Sequence, residues 1–194
     1  MTADPRLPEL VSIACHDISA PLATVYGFAR TLLKLGLDEP ASRYVEMIDA
    51  ASLQMGELVK QLSMVARIER GLYAPMLEAA DSLELAHGAA EDLEAERLVV
   101  SGHGAAVSIE PEATRRALAQ LARAAARYGG HDSVSFEVRG AELELAPVGR
   151  VAAPVVLGED AKELSAAASA LHVRAIGGSL EEQDGRLLIR LPAA

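Results

Sequence analysis

The sequence predicts an α+β chain. An N-terminal antiparallel helical hairpin forms a four-helix bundle on dimerisation, and a two-layer α/β sandwich follows. Three observations predict this. Two stretches of about 28 residues each carry apolar side chains at helical steps, and a glycine-to-proline turn separates them. After about Asp81 the pattern changes to short alternating runs and further helical runs, punctuated by glycine. Hydrophobic residues make up 51% of 194 residues, enough for a folded core, while 3% aromatic content makes that core aliphatic and alanine-rich. The division falls into 1–75, the helical part, and 76–194, the sandwich.

The first helix is expected over Leu7 to Leu35, with Pro8 in its first turn, where a missing N–H costs little. Its stripe is Ile18, Leu22, Val25, Ala29, Leu32 and Leu33. Gly36 reads as the C-terminal cap, Asp38 as the next N-cap and Pro40 as the new first turn. The second helix is expected over Ala41 to Ile68, with Tyr44, Ile48, Ala51, Met55, Leu58, Leu62, Val65 and Ile68 as its stripe. Each helix is about 42 Å long at 1.5 Å per residue. One hairpin of that length covers only one side of each helix, so a two-fold dimer is the simplest way to bury the rest.

Downstream, Ser82 to Glu96 reads as a helix. Leu98–Ser101 and Ala105–Ile109 read as strands around a turn at Gly102-His103-Gly104. Pro111 to Tyr128 is strongly helical. Ser133–Val138 and Glu142–Leu145 alternate as strands, with Gly140 near the turn between them. Lys162 to Ile176 is the last helix, Gly177-Gly178 ends it, and Arg186–Arg190 closes the chain as a strand.

The most unusual stretch is Cys15-His16-Asp17-Ile18-Ser19-Ala20-Pro21-Leu22. A proline here removes a helical hydrogen bond and crowds the preceding turn. His16 lies two residues before Ile18, far around the cylinder from the apolar stripe. Its helical neighbours are Ser12, Ile13, Ser19, Ala20 and Ala23, nearly all small, so a partner protein meets no obstruction at the imidazole. A lone histidine on a helix is ordinarily a solvated surface residue. The adjoining carboxylate and the following proline set this one apart.

These residues resemble the H-box of bacterial sensor histidine kinases, commonly His-Glu-Leu-Arg-Thr-Pro-Leu, which here reads His-Asp-Ile-Ser-Ala-Pro-Leu. The resemblance continues through Val25–Ala29 and through Leu62–Gly71, and spans about residues 8 to 75. It implies that His16 is the phosphorylated residue, in a dimeric phosphotransfer bundle. The family's Thr or Asn four residues after the histidine orients water for phosphatase activity. That position is Ala20, which implies no phosphatase activity by that route.

The order of elements in the second half resembles a histidine kinase ATP-binding domain in degenerate form. Gln120–Tyr128 stands where the family has Asn-Leu-Leu-x-Asn-Ala-x-Lys-Tyr, and alignment on the tyrosine puts Ala124 at the Mg²⁺-ligating Asn. The adenine-recognising Asp aligns with Pro147. The glycine-rich lid is reduced to Gly149 and Gly158. A phosphate-accepting histidine beside a degenerate ATPase-like domain is similar to histidine phosphotransferases of the ChpT type.

That resemblance implies a phosphorelay. The catalytic residues are His16, as acceptor, and Asp17, which would hydrogen-bond the second ring nitrogen. Ser12, Ser19, Ala20 and Ala23 are the expected partner-binding surface. The partners are a second copy, response-regulator receiver domains and a hybrid histidine kinase. No cofactor or metal site is expected on the chain, with Mg²⁺ carried by the receiver. Two alternatives stand beside it: a divergent active sensor histidine kinase, and a non-catalytic dimeric scaffold that binds receivers.

A net charge of −10 argues against nucleic acid or an anionic membrane as partner. No apolar run reaches transmembrane length and no signal-peptide pattern stands at the N-terminus, so the expected location is cytoplasmic. The single cysteine, Cys15, leaves no internal disulfide and reads as a small packing residue. His87, His103, His131 and His172 have no zinc-type spacing and read as surface or structural. The run Glu91–Glu96 reads as a solvated helix face.

Overall fold

In the computed structural model the described residues are 7–93, 97–160 and 162–194. They fall into two compact units, Met1–Leu72 and Tyr73–Ala194.

The first unit is a helical hairpin, α1 (Leu7–Lys34) and α2 (Ala41–Glu69). α1 runs unbroken through Pro21. The proline has no N–H for the carbonyl four residues back, which is that of Asp17. The expected N-cap does not form as anticipated. Pro40 occupies that position at φ −91°, with no side-chain cap. Asp38 contributes only its backbone carbonyl, which accepts from Ser42 N at 3.2 Å.

Each helix carries two seams at alternating steps of three and four, the spacing that keeps a row on one face. The inner seam of α1 is Ser12, Cys15, Leu22, Tyr26, Ala29 and Leu33, all buried or half-buried. It meets Val45, Asp49, Ser52, Gly56, Val59, Ser63 and Ala66 of α2. Most of these are small, which lets the helices approach. A Cβ at Gly56 would sit 3.9 Å from Leu22 Cδ2. The hydroxyls are satisfied within their own helices: Ser52 Oγ donates to the Ile48 carbonyl at 2.7 Å. At the loop end Arg30 reaches Asp49 Oδ2 at 3.6 Å.

The outer seam is larger and uncovered. Leu7, Ile18, Val25, Phe28, Leu32 and Leu35 of α1, with Tyr44, Ile48, Met55 and Leu58 of α2, range from 39% exposed at Leu58 to 72% at Leu35. The single stripe expected for α1 is therefore two. Leu22, Ala29 and Leu33 belong to the inner seam, whereas Ile18, Val25 and Leu32 belong to the outer one.

The second unit is an α/β sandwich. Its elements are β1 (Glu78–Asp81), α3 (Ser82–Glu91), β2 (Leu98–Gly104), β3 (Ala106–Ile109), α4 (Pro111–Gly129), β4 (Val134–Gly140), β5 (Glu142–Ala146), α5 (Ala153–Val156), α6 (Leu164–Ala175), β6 (Ser179–Gln183) and β7 (Arg186–Arg190). The main sheet has the order β2-β4-β5-β7-β6, and β1 pairs with β3 in a separate ribbon. β2 lies parallel to β4, because α4 carries the chain between them, and the other pairings are antiparallel. Cross-strand rows Phe136–Leu145–Leu187 and Val138–Leu143–Ile189 are fully buried beneath the helices. The opposite face is charged, and Glu144 lies there between Arg139 and Arg186.

Several expectations change here. Gly102-His103-Gly104 is not a turn but the end of β2, paired with Val138–Gly140 of β4. β1, α5 and β6 had no counterpart in the sequence reading. Within the described residues α3 ends at Glu91, capped at its start by Asp81, whose carboxylate accepts from Leu83 N at 2.8 Å and Glu84 N at 3.1 Å. Residues 94–96 of the expected acidic run lie outside the described residues. Gly130, at φ 68°, supplies the left-handed residue that closes α4.

His172 is structural and deeply buried. Its Nδ1 lies 3.1 Å from the Tyr73 hydroxyl and its Nε2 lies 3.1 Å from Thr114 Oγ1. The Tyr73 hydroxyl also donates to Glu110 Oε2. Burial pushes the imidazole below the usual histidine range, and the Glu110 carboxylate partly opposes that.

Candidate functional site: an exposed histidine beside a small-residue groove

Cys15 points into the inner seam and is 3% exposed. His16 is the next residue, about 100° further round the helix and about 200° from Ile18. It therefore projects away from the outer apolar seam. Its side chain is 90% exposed, and Nδ1 lies 3.2 Å from Asp17 Oδ1. If Nδ1 carries the ring proton and donates it to Asp17, the Nε2 lone pair faces outward as a nucleophile. Asp17 itself is exposed, so this pair is set by sequence adjacency and helical geometry rather than by packing.

His16 lies on a groove of about 710 Å³ between α1 and α2. Ser12, Ser19 and Ala23 line it too, so three of the four expected partner-surface residues come together with the histidine. Ala20 lines no part of the groove; it is exposed on the helix surface. Ser19 Oγ donates to the Cys15 carbonyl at 2.7 Å, which turns the hydroxyl back onto the helix. Cys15 also borders the groove, and burial raises its thiol pKa, in keeping with a packing role. The far wall comes from α2 and includes Gly56, Val59, Lys60, Ser63 and Arg67. Sequence reading missed this wall. Its signal is the antiparallel register, which brings the middle of α2 level with His16.

In the second unit Ala124 is fully buried in the core of the sandwich. Val155 and Val156 of α5 are fully buried in the same core cluster as Ala122, Ala124 and Ala125. α5 lies in the interval where a phosphate-binding lid was sought, and its apolar side chains pack there instead. Pro147 follows the end of β5, and the next residue, Val148, donates its N–H to the Gly185 carbonyl at 2.7 Å. Gly149 lies against the end of α4, where a Cβ would meet Gly129 Cα at 3.4 Å. Its small size thus serves a close backbone approach within the protein. Among the described residues no group of three or more His, Cys, Asp or Glu side chains converges as a metal site. No helix among them is long and apolar enough to cross a membrane.

Residues 7–71 match the His Kinase A (phospho-acceptor) domain, so the hairpin and His16 fall within a recognised phospho-acceptor module. No curated protein matches the sequence. Among solved structures, full-length ShkA in complex with AMPPNP superposes with a TM-score of 0.66 at 18% identity, over 96% of this chain and 47% of that one. The chain thus spans about half the length of that protein. The Acinetobacter baumannii histidine kinase AdeS superposes with a TM-score of 0.58 at 17% identity, over 91% of this chain and 97% of that one. At these identities the likeness is one of fold: a helical hairpin followed by the sandwich of histidine kinase catalytic domains.

Proposed function

We propose that this chain is a dimeric histidine phosphotransferase. It relays phosphoryl groups between receiver-domain aspartates and His16 without using ATP. The observation that carries the reading is the contrast between its two units. The phospho-acceptor module presents an exposed His16 with Asp17 on one ring nitrogen. In the sandwich the positions a nucleotide would need are a core alanine and a proline, and the apolar α5 fills the lid interval. These residues do not suit a magnesium-bound nucleotide.

The reaction follows from the site. The neutral imidazole attacks the phosphorus of an aspartyl phosphate through Nε2, in line with the departing carboxylate. The N–P bond forms, the P–O bond to the carboxyl breaks, and its electron pair leaves on the receiver's aspartate. The ring becomes cationic, and Asp17 stabilises that charge through the proton on Nδ1. Phosphoryl transfer of this kind depends mainly on positioning and charge compensation. The receiver would bring Mg²⁺. The small side chains of Ser12, Ser19 and Ala23 leave room for the receiver over the imidazole.

The outer seam supports the dimer. At least ten large apolar residues at heptad spacing lie exposed on one hairpin, and a second copy would cover them while leaving His16 outside. Mixing the chain with phosphorylated receiver domains should label it, and His16→Ala should remain unlabelled. Labelling of the His16→Ala chain, or labelling by Mg-ATP alone, would overturn the proposal.

A further inference from the structure

We infer that Lys60 and Arg67 of α2 compensate the negative charge of a phosphoryl group on His16 and so act as positioning residues for its transfer. The inference rests on the function proposed above. Both side chains line the groove that carries His16.

The register places them on either side of the histidine. Leu22 lies level with Gly56. Six residues back along α1 is His16, and six forward along the antiparallel α2 is Leu62. Lys60 stands just before that level and Arg67 just beyond it. They are seven residues apart, about 10.5 Å along the axis, on one helical face with Ser63 between them. A phosphoryl group on Nε2 brings two negative charges to a chain whose net charge is already −10. Local cations are then the means of offsetting that repulsion.

The remaining charge on this wall is Glu57, which pairs with Lys60 Nζ at 2.8 Å. The two side chains are 46% and 70% exposed, so water screens the pair and it holds the ammonium weakly. A dianion beside it is a stronger partner. Asp17 faces the opposite ring nitrogen and offsets the charge of the ring, whereas Lys60 and Arg67 would offset the charge of the phosphoryl oxygens.

Phosphoramidate separates this role from receiver docking, because it is a small donor with no protein surface. Nε2 of neutral His16 bonds to its phosphorus, the donor's P–N bond breaks, and ammonia departs with that electron pair. The ring proton stays on Nδ1 and charge is conserved. In the full chain, the Lys60→Ala, Arg67→Ala double variant should be labelled at His16 about tenfold more slowly than wild type, with an unchanged thermal midpoint. Lys60→Arg with Arg67→Lys should restore the rate. Raising salt to about 0.5 M should slow wild type but not the double alanine variant.

An alanine variant labelled as fast as wild type would overturn the inference while leaving His16 as acceptor. Failure of the arginine–lysine exchange to restore the rate would show that shape, not charge, matters, and would overturn it too. A wild-type chain that neither phosphoramidate nor phosphorylated receivers can label would remove the proposed function and this inference together.

Discussion

His16 owes its exposure to a helical offset of one residue. Cys15 fills the inner seam, so the next side chain must leave it, and Asp17 follows close enough to reach Nδ1 at 3.2 Å. On the proposed mechanism, Asp17→Ala removes a hydrogen bond to a cationic ring and should slow transfer about tenfold, measured by quench-flow from a labelled receiver. An unchanged rate would make Asp17 a bystander. His172 gives a separate test in the sandwich. Its pKa is lowered on folding, so the unfolded chain binds the proton more readily than the folded one. The stability due to neutral His172 is complete above about pH 6.5, the unfolded value, and is lost as pH falls through the lower folded value. Denaturant titrations from pH 7.5 to 5 should show this loss, and His172→Ala should flatten it. The alanine variant should also cost about 1–3 kcal/mol, by leaving the buried hydroxyls of Thr114 and Tyr73 without the imidazole. His16 and Asp17 were legible in the sequence because they adjoin and precede Pro21. Lys60 and Arg67 were not, since their place opposite His16 exists only once two helices have a register.

Two seams on each helix are the central fact of the hairpin. The inner one is small and polar enough to close a tight pair; the outer one is bulky and exposed. Sequence periodicity showed that α1 is amphipathic but merged the two rows, because Leu22, Ala29 and Leu33 interleave with Ile18, Val25 and Leu32 at nearly the same steps. Val25→Glu with Phe28→Glu places charge in the outer seam of both copies and should weaken the proposed dimer at least about a hundredfold. Light scattering across a dilution series checks this: a wild-type dimer and a monomeric variant are expected, and a monomeric wild type would contradict the bundle. In the sandwich the long amphipathic α4 and the alternating β4 and β5 were readable. β1 and β6 were not, because Glu78–Asp81 and Ser179–Gln183 are short, mostly polar, and belong to a ribbon and a sheet edge. His103 was misplaced because flanking glycines signal a turn, whereas here Gly102, at φ 109°, lies within the edge strand β2.

Across the whole chain the two units divide the chemistry unequally. The hairpin holds an exposed acceptor histidine, a groove beside it and an uncovered apolar face. The sandwich keeps the kinase-type fold around an alanine-rich core. Its architecture was legible as three helical runs over alternating strands, and its likeness in fold to histidine kinases is clear despite low identity. The parallel β2–β4 pairing was not legible, because it depends on where the α4 crossover returns. The central claim is that His16 takes phosphate from a receiver and not from ATP. The most direct test follows labelled phosphate after the chain is mixed with a phosphorylated receiver domain, with a parallel sample given labelled Mg-ATP. The account predicts an acid-labile label that maps to His16 in the first sample and none in the second. Label arising from ATP, or receiver-derived label on any other residue, would contradict it.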